Sequence, residues 1–109
     1  MSDTWTFVCP TAELLPGEMK VAFDEVTGVP IAVFNLDGDL YALEDRCSHE
    51  DFELSAGPLD AEHGVLTCVL HGAEFDVRSG RALCGPAYVP VATFPVRVDD
   101  AGIWTRDTR

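Results

Sequence analysis

Two short segments of the chain each combine a cysteine with a histidine. Cys47 and His49 are separated by one residue, Cys68 and His71 by two, and 18 residues lie between the two pairs. Thiolate and imidazole groups are good ligands for transition metals, and each pair can present both side chains from one loop or tight turn. The spacing therefore predicts two facing loops that grip one metal centre, with all four side chains as its ligands.

The other cysteines and the third histidine are interpreted as structural residues. Cys9 ends the first predicted strand and Cys84 precedes Gly85-Pro86, so both fit small buried thiols. The sequence leaves the roles of these two cysteines open. His63 is expected in an exposed turn, with no neighbour spaced for metal binding.

The rest of the chain has the pattern of an all-β protein. Short apolar runs recur between turn residues, and the 3.6-residue period of an amphipathic helix is missing. This pattern predicts an antiparallel β-sandwich or barrel. The predicted strands are residues 4–8, 19–23, 29–35, 40–44, 65–68, 74–77, 81–83, 93–98 and 103–105.

Glycine-containing turns are expected to join neighbouring strands. Asp37-Gly38, Ser79-Gly80 and residues 99–102 each lie between two predicted strands, where glycine accepts the positive φ of a tight hairpin. Thr11 is predicted to cap a single helical turn that ends before Pro16.

The last long apolar run, residues 93–98, is predicted to be a single strand. Phe94, Val96 and Val98 alternate along it and are expected to share one buried face. Pro95 cannot donate a backbone hydrogen bond, which indicates an edge strand.

The length of 109 residues suits a single domain, predicted to span residues 1–109. Residues 45–59 and 68–73 interrupt the strand pattern, and these are the segments that hold the Cys and His pairs. We therefore expect a small metal-binding subdomain of two loops, at approximately residues 45–85, on an all-β body.

The charge balance excludes several classes of partner. Seven Lys and Arg against 19 Asp and Glu give a net charge of −12, which repels nucleic-acid phosphates and anionic lipids. No apolar stretch approaches the roughly 20 residues that cross a bilayer, and the first residues lack the pattern of a secretory signal. We expect a cytoplasmic protein that binds neither nucleic acid nor membrane.

Structural zinc is an alternative for this ligand set, because tetrahedral zinc accepts two cysteines and two histidines. Common zinc modules pair Cys with Cys and His with His, typically on a hairpin and a helix. Here each loop is mixed and no helix is predicted to follow, which argues against zinc.

The sequence resembles the Rieske ferredoxins that feed electrons to bacterial aromatic-ring dioxygenases. The resemblance covers nearly the whole chain and rests on Cys47-Ser48-His49, Cys68-Val69-Leu70-His71-Gly72, Phe75-Asp76, Ser79-Gly80 and Gly85-Pro86-Ala87. It implies one [2Fe–2S] cluster, with Cys47 and Cys68 on a buried iron. His49 and His71 would then hold an outer iron near solvent.

The resemblance also implies an electron carrier rather than an enzyme, and no catalytic constellation is visible in the sequence. Its expected partners are a ferredoxin reductase and a terminal oxygenase, met transiently by a monomer. An accessory protein of another oxygenase or of iron–sulfur assembly is an alternative that the sequence does not separate from the first. The aromatic substrate and the type of reductase are not readable here. Four acidic residues lie near His49 in the sequence, namely Asp45, Glu50, Asp51 and Glu53. We expect them either to form an acidic collar around the point where electrons leave the cluster or to be ordinary solvated loop charges.

A low reduction potential is a further implication of the resemblance. High-potential Rieske proteins of respiratory complexes have hydroxyl side chains two and four residues after the second ligand histidine, where this chain has Ala73 and Phe75. Hydrogen bonds to the sulfurs help to set Rieske potentials between about −150 and +300 mV. Without those donors, we expect a value near the lower limit, roughly −150 mV.

Overall fold

The computed structural model describes residues 4–46, 53–69, 72–84 and 89–108. The regular elements in these ranges are short strands and two single 3₁₀ turns, Thr11–Glu13 and Leu54–Ala56. The strands are β1 (Thr6–Cys9), β2 (Met19–Phe23), β3 (Pro30–Leu36), β4 (Asp39–Glu44), β5 (Leu59–Asp60), β6 (Val65–Thr67), β7 (Glu74–Asp76), β8 (Ala82–Cys84), β9 (Thr93–Phe94), β10 (Val96–Val98) and β11 (Ile103–Thr105).

The strands form three antiparallel sheets, which confirms the predicted all-β class. Two sheets build the body of the molecule, with strand orders β1-β11-β10 and β2-β3-β4-β9. The third sheet, in the order β5-β6-β7-β8, lies within residues 45–85, the range in which a metal-binding subdomain was predicted. No helical segment in the described part of the chain has the length and apolar character needed to cross a membrane.

Strand β3 connects the two hydrophobic cores because both of its faces are buried. Ala32, Phe34 and Leu36 pack into a core shared with the third sheet, beside residues such as Phe75. Ile31 and Val33, on the opposite face, belong to a core that also contains Phe94 and Ile103. The continuous apolar run of β3 therefore attaches the third sheet to the body.

The hairpin predicted at Asp37-Gly38 is present between β3 and β4. Leu36 pairs with Asp39, so the loop has two residues, and both have positive φ values of 54° and 97°. This backbone matches the twist of the flanking strands, and Asp and Gly are among the residues that tolerate it. The turns at Ser79-Gly80 and at residues 99–102 are also closed by backbone hydrogen bonds, as predicted.

The prediction of one strand over residues 93–98 is wrong, because Pro95 divides it. β9 pairs with β4 of the second sheet, while β10 pairs with β11 of the first sheet. The Pro95 carbonyl accepts a hydrogen bond from the Thr105 hydroxyl at 2.8 Å, which holds the chain where it crosses between the sheets. Phe94 is buried as expected, but Val98 is 51% exposed and lies outside the core.

Two further predictions needed correction. Thr11 is the first residue of its 3₁₀ turn rather than its cap, since the cap position is Pro10 and makes no side-chain hydrogen bond. The two-residue strand β5 was not predicted, because Leu59 and Asp60 lie between Pro58 and a turn and form no recognisable alternation.

Asp24 ties the β2–β3 turn to the C-terminal segment. Its buried carboxylate accepts hydrogen bonds from the backbone N–H groups of Val26, Thr27 and Asp107, at 3.0, 2.9 and 2.8 Å. Burial by itself raises the pKa of Asp24, but these hydrogen bonds outweigh it and lower the pKa below its usual value. The charged form is therefore the one that stabilises the fold.

Asp24→Asn is expected to lower stability by about 2 kcal/mol at neutral pH, because it weakens several hydrogen bonds to a buried charge. A carboxyl with a lowered pKa stabilises fully above its usual pKa, and this contribution is lost as pH falls through the lower, folded value. Thermal unfolding followed by circular dichroism should show the difference between wild type and variant shrink below about pH 4. Asp100→Asn, at an exposed turn position, is the control; an unchanged difference at low pH would contradict this account.

Candidate metal centre

Of the four predicted ligands, the structure describes Cys68. Cys47, His49 and His71 lie outside the described residues. Within the four described ranges there is no group of three or more His, Cys, Asp or Glu side chains suited to hold a metal ion. The described part of the predicted site consists of Cys68 and the segments at the ends of the two loops.

Cys68 follows β6 directly and begins a closed turn. Its N–H donates to the Ala73 carbonyl at 2.7 Å, and its own carbonyl accepts from the Gly72 N–H at 3.0 Å. Gly72 has a φ of 75°, a conformation that costs glycine little. A turn of this kind is what the Cys-x-x-His spacing predicted for the second loop.

The Cys68 side chain is 1% exposed and packs in the core shared by β3 and the third sheet. Its apolar neighbours in that core include Leu66, Ala73 and Phe75, all fully buried. A thiol in such surroundings is shielded from solvent, and binding of the thiolate to iron would compensate for the cost of burying its charge. These features fit a cysteine that holds the inner iron of an iron–sulfur cluster.

The first loop begins and ends at residues that contact each other. Asp45, just before the loop, is buried and accepts two hydrogen bonds from Ser55, from the N–H at 2.7 Å and from the hydroxyl at 2.6 Å. The Asp45 N–H donates to the Pro30 carbonyl at 2.8 Å, which fixes the start of the loop to β3. Asp45 is therefore not one of the acidic collar charges considered from the sequence, and Glu50 and Asp51 lie outside the described residues.

The end of the first loop packs against the strand that leads to Cys68. The Thr67 N–H donates to the Pro58 carbonyl at 3.1 Å. A Cβ atom added to Gly57 would overlap the Thr67 carbonyl oxygen, so only glycine allows this approach. The exit of one loop and the entrance of the other are consequently in direct contact.

Exposed apolar side chains occur in the part of the chain that follows Cys68. Val69, Leu83 and Val89 are 50%, 46% and 62% exposed, and each lies within two residues of a segment that the structure does not describe. Val69 immediately follows Cys68, and the three side chains are called the apolar rim below. Exposed apolar side chains that form a contiguous patch are typical of surfaces that bind other proteins.

Cys9 and His63 agree with their structural interpretation, whereas the burial of the Cys84 side chain lies outside what the structure describes. Cys9 is buried in the second core, and burial raises the pKa of its thiol. His63 is exposed, and its Nδ1 lies 2.8 Å from an Asp60 carboxylate oxygen, a partner three residues earlier that the sequence analysis overlooked. That hydrogen bond lowers the pKa of Asp60. Cys84 ends β8, opposite Glu74 of β7.

Comparisons with known proteins agree with this architecture. The profile of the Rieske [2Fe-2S] domain matches residues 4–95. The 3-phenylpropionate/cinnamic acid dioxygenase ferredoxin subunit of Escherichia coli K12 is 40% identical over 98 residues, which are 90% of this chain and 89% of the relative. The chain belongs to the Rieske [2Fe–2S] ferredoxins.

Solved structures of the family superpose closely on this ferredoxin. The ferredoxin of carbazole 1,9a-dioxygenase from Nocardioides aromaticivorans IC177 has a TM-score of 0.86 and 31% identity, covering 95% of this chain and 98% of its own. A complex of reduced oxygenase and oxidized ferredoxin in carbazole 1,9a-dioxygenase gives a TM-score of 0.85 at 31% identity, covering 96% of this chain and 94% of the matched chain.

Membership of this family determines the cofactor and the class of activity. The ferredoxin carries one [2Fe–2S] cluster and is an electron carrier rather than an oxygenase. The alternative of a structural zinc module is not supported, since the matching domain is one that binds [2Fe-2S]. The predicted family, fold class and cofactor are all confirmed.

Proposed function

We propose that this ferredoxin passes single electrons from a reductase to the terminal oxygenase of an aromatic-ring dioxygenase system. The supporting observation is its similarity, over nine-tenths of its length, to a ferredoxin subunit of such a dioxygenase. The ligands in this proposal are Cys47, His49, Cys68 and His71. The buried thiol of Cys68 at a closed turn supports its assignment to the inner iron.

The proposed ligand set explains how this chain accepts an electron at the outer iron. Two neutral imidazoles in place of two thiolates make the centre less negative, which makes reduction easier than in an all-cysteine cluster. His49 and His71, on the outer iron, would lie nearer solvent than the buried cysteines. Electrons would then enter and leave at the edge that carries the two loops.

The reduction potential of the ferredoxin is expected near −150 mV, at the lower end of the Rieske range. Ala73 and Phe75 are fully buried beside the second loop and offer no hydroxyl to the cluster sulfurs. Ala73→Ser adds a donor there and should shift the potential measured by voltammetry to a more positive value. Ala32→Ser places the same hydroxyl in the same core but on β3, and should leave the potential unchanged. A clearly positive wild-type potential would refute the prediction.

The apolar rim of Val69, Leu83 and Val89 is proposed to contact each partner in turn. The net charge of −12 favours fast encounter with a partner that has a basic surface, and such attraction weakens with salt. Apolar contacts then orient the two proteins in the complex. Because no strong ionic bond has to be broken, the carrier can dissociate quickly after each electron transfer.

Electron transfer to an oxygenase tests the proposal. The chemically reduced ferredoxin is mixed with the oxygenase of E. coli 3-phenylpropionate dioxygenase, and its reoxidation is followed by visible absorbance, with that system's own ferredoxin subunit as the positive control. Reoxidation should be fast and should slow with added salt. If the control is reoxidised and this ferredoxin is not, the proposed role is wrong.

Val89→Glu is expected to slow that reaction on the order of ten-fold, a loss of about 1.4 kcal/mol at the contact. The matched control is Val26→Glu, because Val26 is similarly exposed but lies in the β2–β3 turn of the body. Equal slowing by both variants would indicate a general effect of added negative charge instead of a docking rim.

We further propose that the ferredoxin is a single domain and works as a monomer in the cytoplasm. A carrier that alternates between two partners needs the same face free for each, which favours a monomer. The cytoplasm keeps thiols reduced and available for cluster insertion. An accessory role in another oxygenase system or in iron–sulfur assembly is the second candidate, and failure to reduce the oxygenase would favour it.

A further inference from the structure

Asp45 joins the two ends of the first loop through its hydrogen bonds to Ser55. It lies at the end of β4, is 3% exposed, and receives both of its side-chain hydrogen bonds from Ser55. Ser55 belongs to the 3₁₀ turn that follows the loop. The pair, called the Asp45–Ser55 clamp below, closes a loop of nine intervening residues with hydrogen bonds of 2.6 and 2.7 Å.

The clamp is anchored on both sides. On the entry side, the backbone N–H groups of Glu44 and Asp45 donate to Ala92 and Pro30, at 2.9 and 2.8 Å, so the residue is fixed to the second sheet. On the exit side, Leu54 is fully buried in the core that contains Cys68. Ser55 therefore cannot move far without disturbing that core.

The exit segment also fixes β6, the strand that leads to Cys68. The Thr67 N–H donates to Pro58, and the Thr67 carbonyl lies against Gly57 where any other residue would place a Cβ atom. A continuous path of short contacts thus connects the start of the first loop, its end, and the start of the second loop. The segment that contains Ser55 therefore holds the ends of both loops in one rigid arrangement, called the rigid frame below.

We propose that Asp45 is a positioning residue for the [2Fe–2S] cluster, acting through the Asp45–Ser55 clamp. The inference rests on the proposed ligand set, in which Cys47 and His49 lie on the loop that the clamp closes. With the clamp intact, the two ends of this loop are held at a fixed separation. Without it, the ends of the loop separate, water reaches the inner iron, and the cluster is released faster.

Three variants separate the geometry of the clamp from its charge. Asp45→Ala removes both hydrogen bonds, whereas Ser55→Ala removes the hydroxyl and keeps the backbone donor. Asp45→Asn retains the clamp, because its carbonyl oxygen accepts from the Ser55 N–H and its NH₂ group donates to the Ser55 hydroxyl oxygen. Asp24→Ala is the matched control: it deletes another buried, multiply bonded aspartate, whose partners lie in the β2–β3 turn and the C-terminal segment.

The rate of cluster loss is measured as bleaching of visible absorbance in the presence of an iron chelator. Each variant is measured at a temperature equally far below its own unfolding midpoint, so that differences in overall stability do not affect the comparison. Asp45→Ala should lose the cluster about ten-fold faster than wild type, as is typical when a supporting contact around a metal site is removed. Asp45→Asn and Asp24→Ala should stay within about two-fold. The electron paramagnetic resonance spectrum of the reduced, loaded fraction should change in Asp45→Ala and not in Asp24→Ala.

Equal rates of loss for Asp45→Ala and Asp24→Ala would overturn the inference, because the effect would then be one of general stability. A rate for Asp45→Asn as fast as for Asp45→Ala would also overturn it, since charge and not the clamp would be responsible. If Asp45→Ala does not fold, the test is decided by Ser55→Ala, for which faster loss at matched stability is expected and an unchanged rate contradicts the clamp. Failure of the proposed ligand set is distinguishable: substitution of Cys47 or His49 would then leave iron and sulfide content unchanged.

Discussion

Cys68→Ala is expected to yield a ferredoxin that purifies without its [2Fe–2S] cluster, with no visible absorbance and no iron or acid-labile sulfide. The thiolate of this residue supplies the proposed bond to the inner iron directly after β6, and alanine leaves nothing in its place. The described buried residues of the same core, such as Leu66 and Phe75, are apolar and offer no replacement. The measurement is iron and sulfide content per chain, together with electron paramagnetic resonance after reduction.

Cys9→Ala provides the matched control for this result. Cys9 is also buried, at 4% exposure, but it lies in the other core and at the far end of β1. Its substitution removes a sulfur of the same size, so the packing cost of about 1 kcal/mol should be similar while the cluster is retained. Normal cluster content in Cys68→Ala, or equal loss in both variants, would contradict the assignment of Cys68 as a ligand.

The second loop was predictable because its signals are local. The spacing of Cys68 and His71 is compatible with a tight turn, and Gly72 supplies a positive φ directly after it. The same holds for Asp37-Gly38, where two adjacent residue types specify both the loop length and its conformation. Turn residues act over a few positions of sequence, so one sequence is enough to identify them.

The errors arise where distant residues decide the outcome. Val98 alternates correctly with Phe94, but Pro95 transfers the chain to another sheet, and the periodicity carries no sign of that change. Asp45 looked like one more loop charge because its partner Ser55 is ten residues away and outside any repeating pattern. The sequence signal was weak: an acidic residue directly before a ligand-bearing loop, with a serine shortly after it.

Gly57 is the clearest case of a residue whose importance depends on tertiary structure alone, and Gly57→Ala is the second large effect we expect. Its φ of −93° is accessible to any residue, so backbone strain plays no part. A Cβ atom would instead overlap the Thr67 carbonyl and force apart the 3₁₀ turn and β6. Because a backbone carbonyl cannot rotate away as a side chain can, we expect a destabilisation of about 3 kcal/mol. The thermal midpoint should fall by about 15 °C.

Gly28→Ala distinguishes this steric effect from the ordinary cost of replacing glycine. Gly28 has a φ of 75° with open space around it, so alanine there meets strain but no overlap. That variant should lose about 1 kcal/mol, or roughly 5 °C, and keep its cluster. Gly57→Ala should in addition release the cluster faster, because Thr67 is the residue before Cys68 and any displacement of β6 moves the thiol. A fully stable Gly57→Ala ferredoxin with unchanged cluster content would show that the two loop segments can separate without cost, and the rigid frame proposed for the ligands would be wrong.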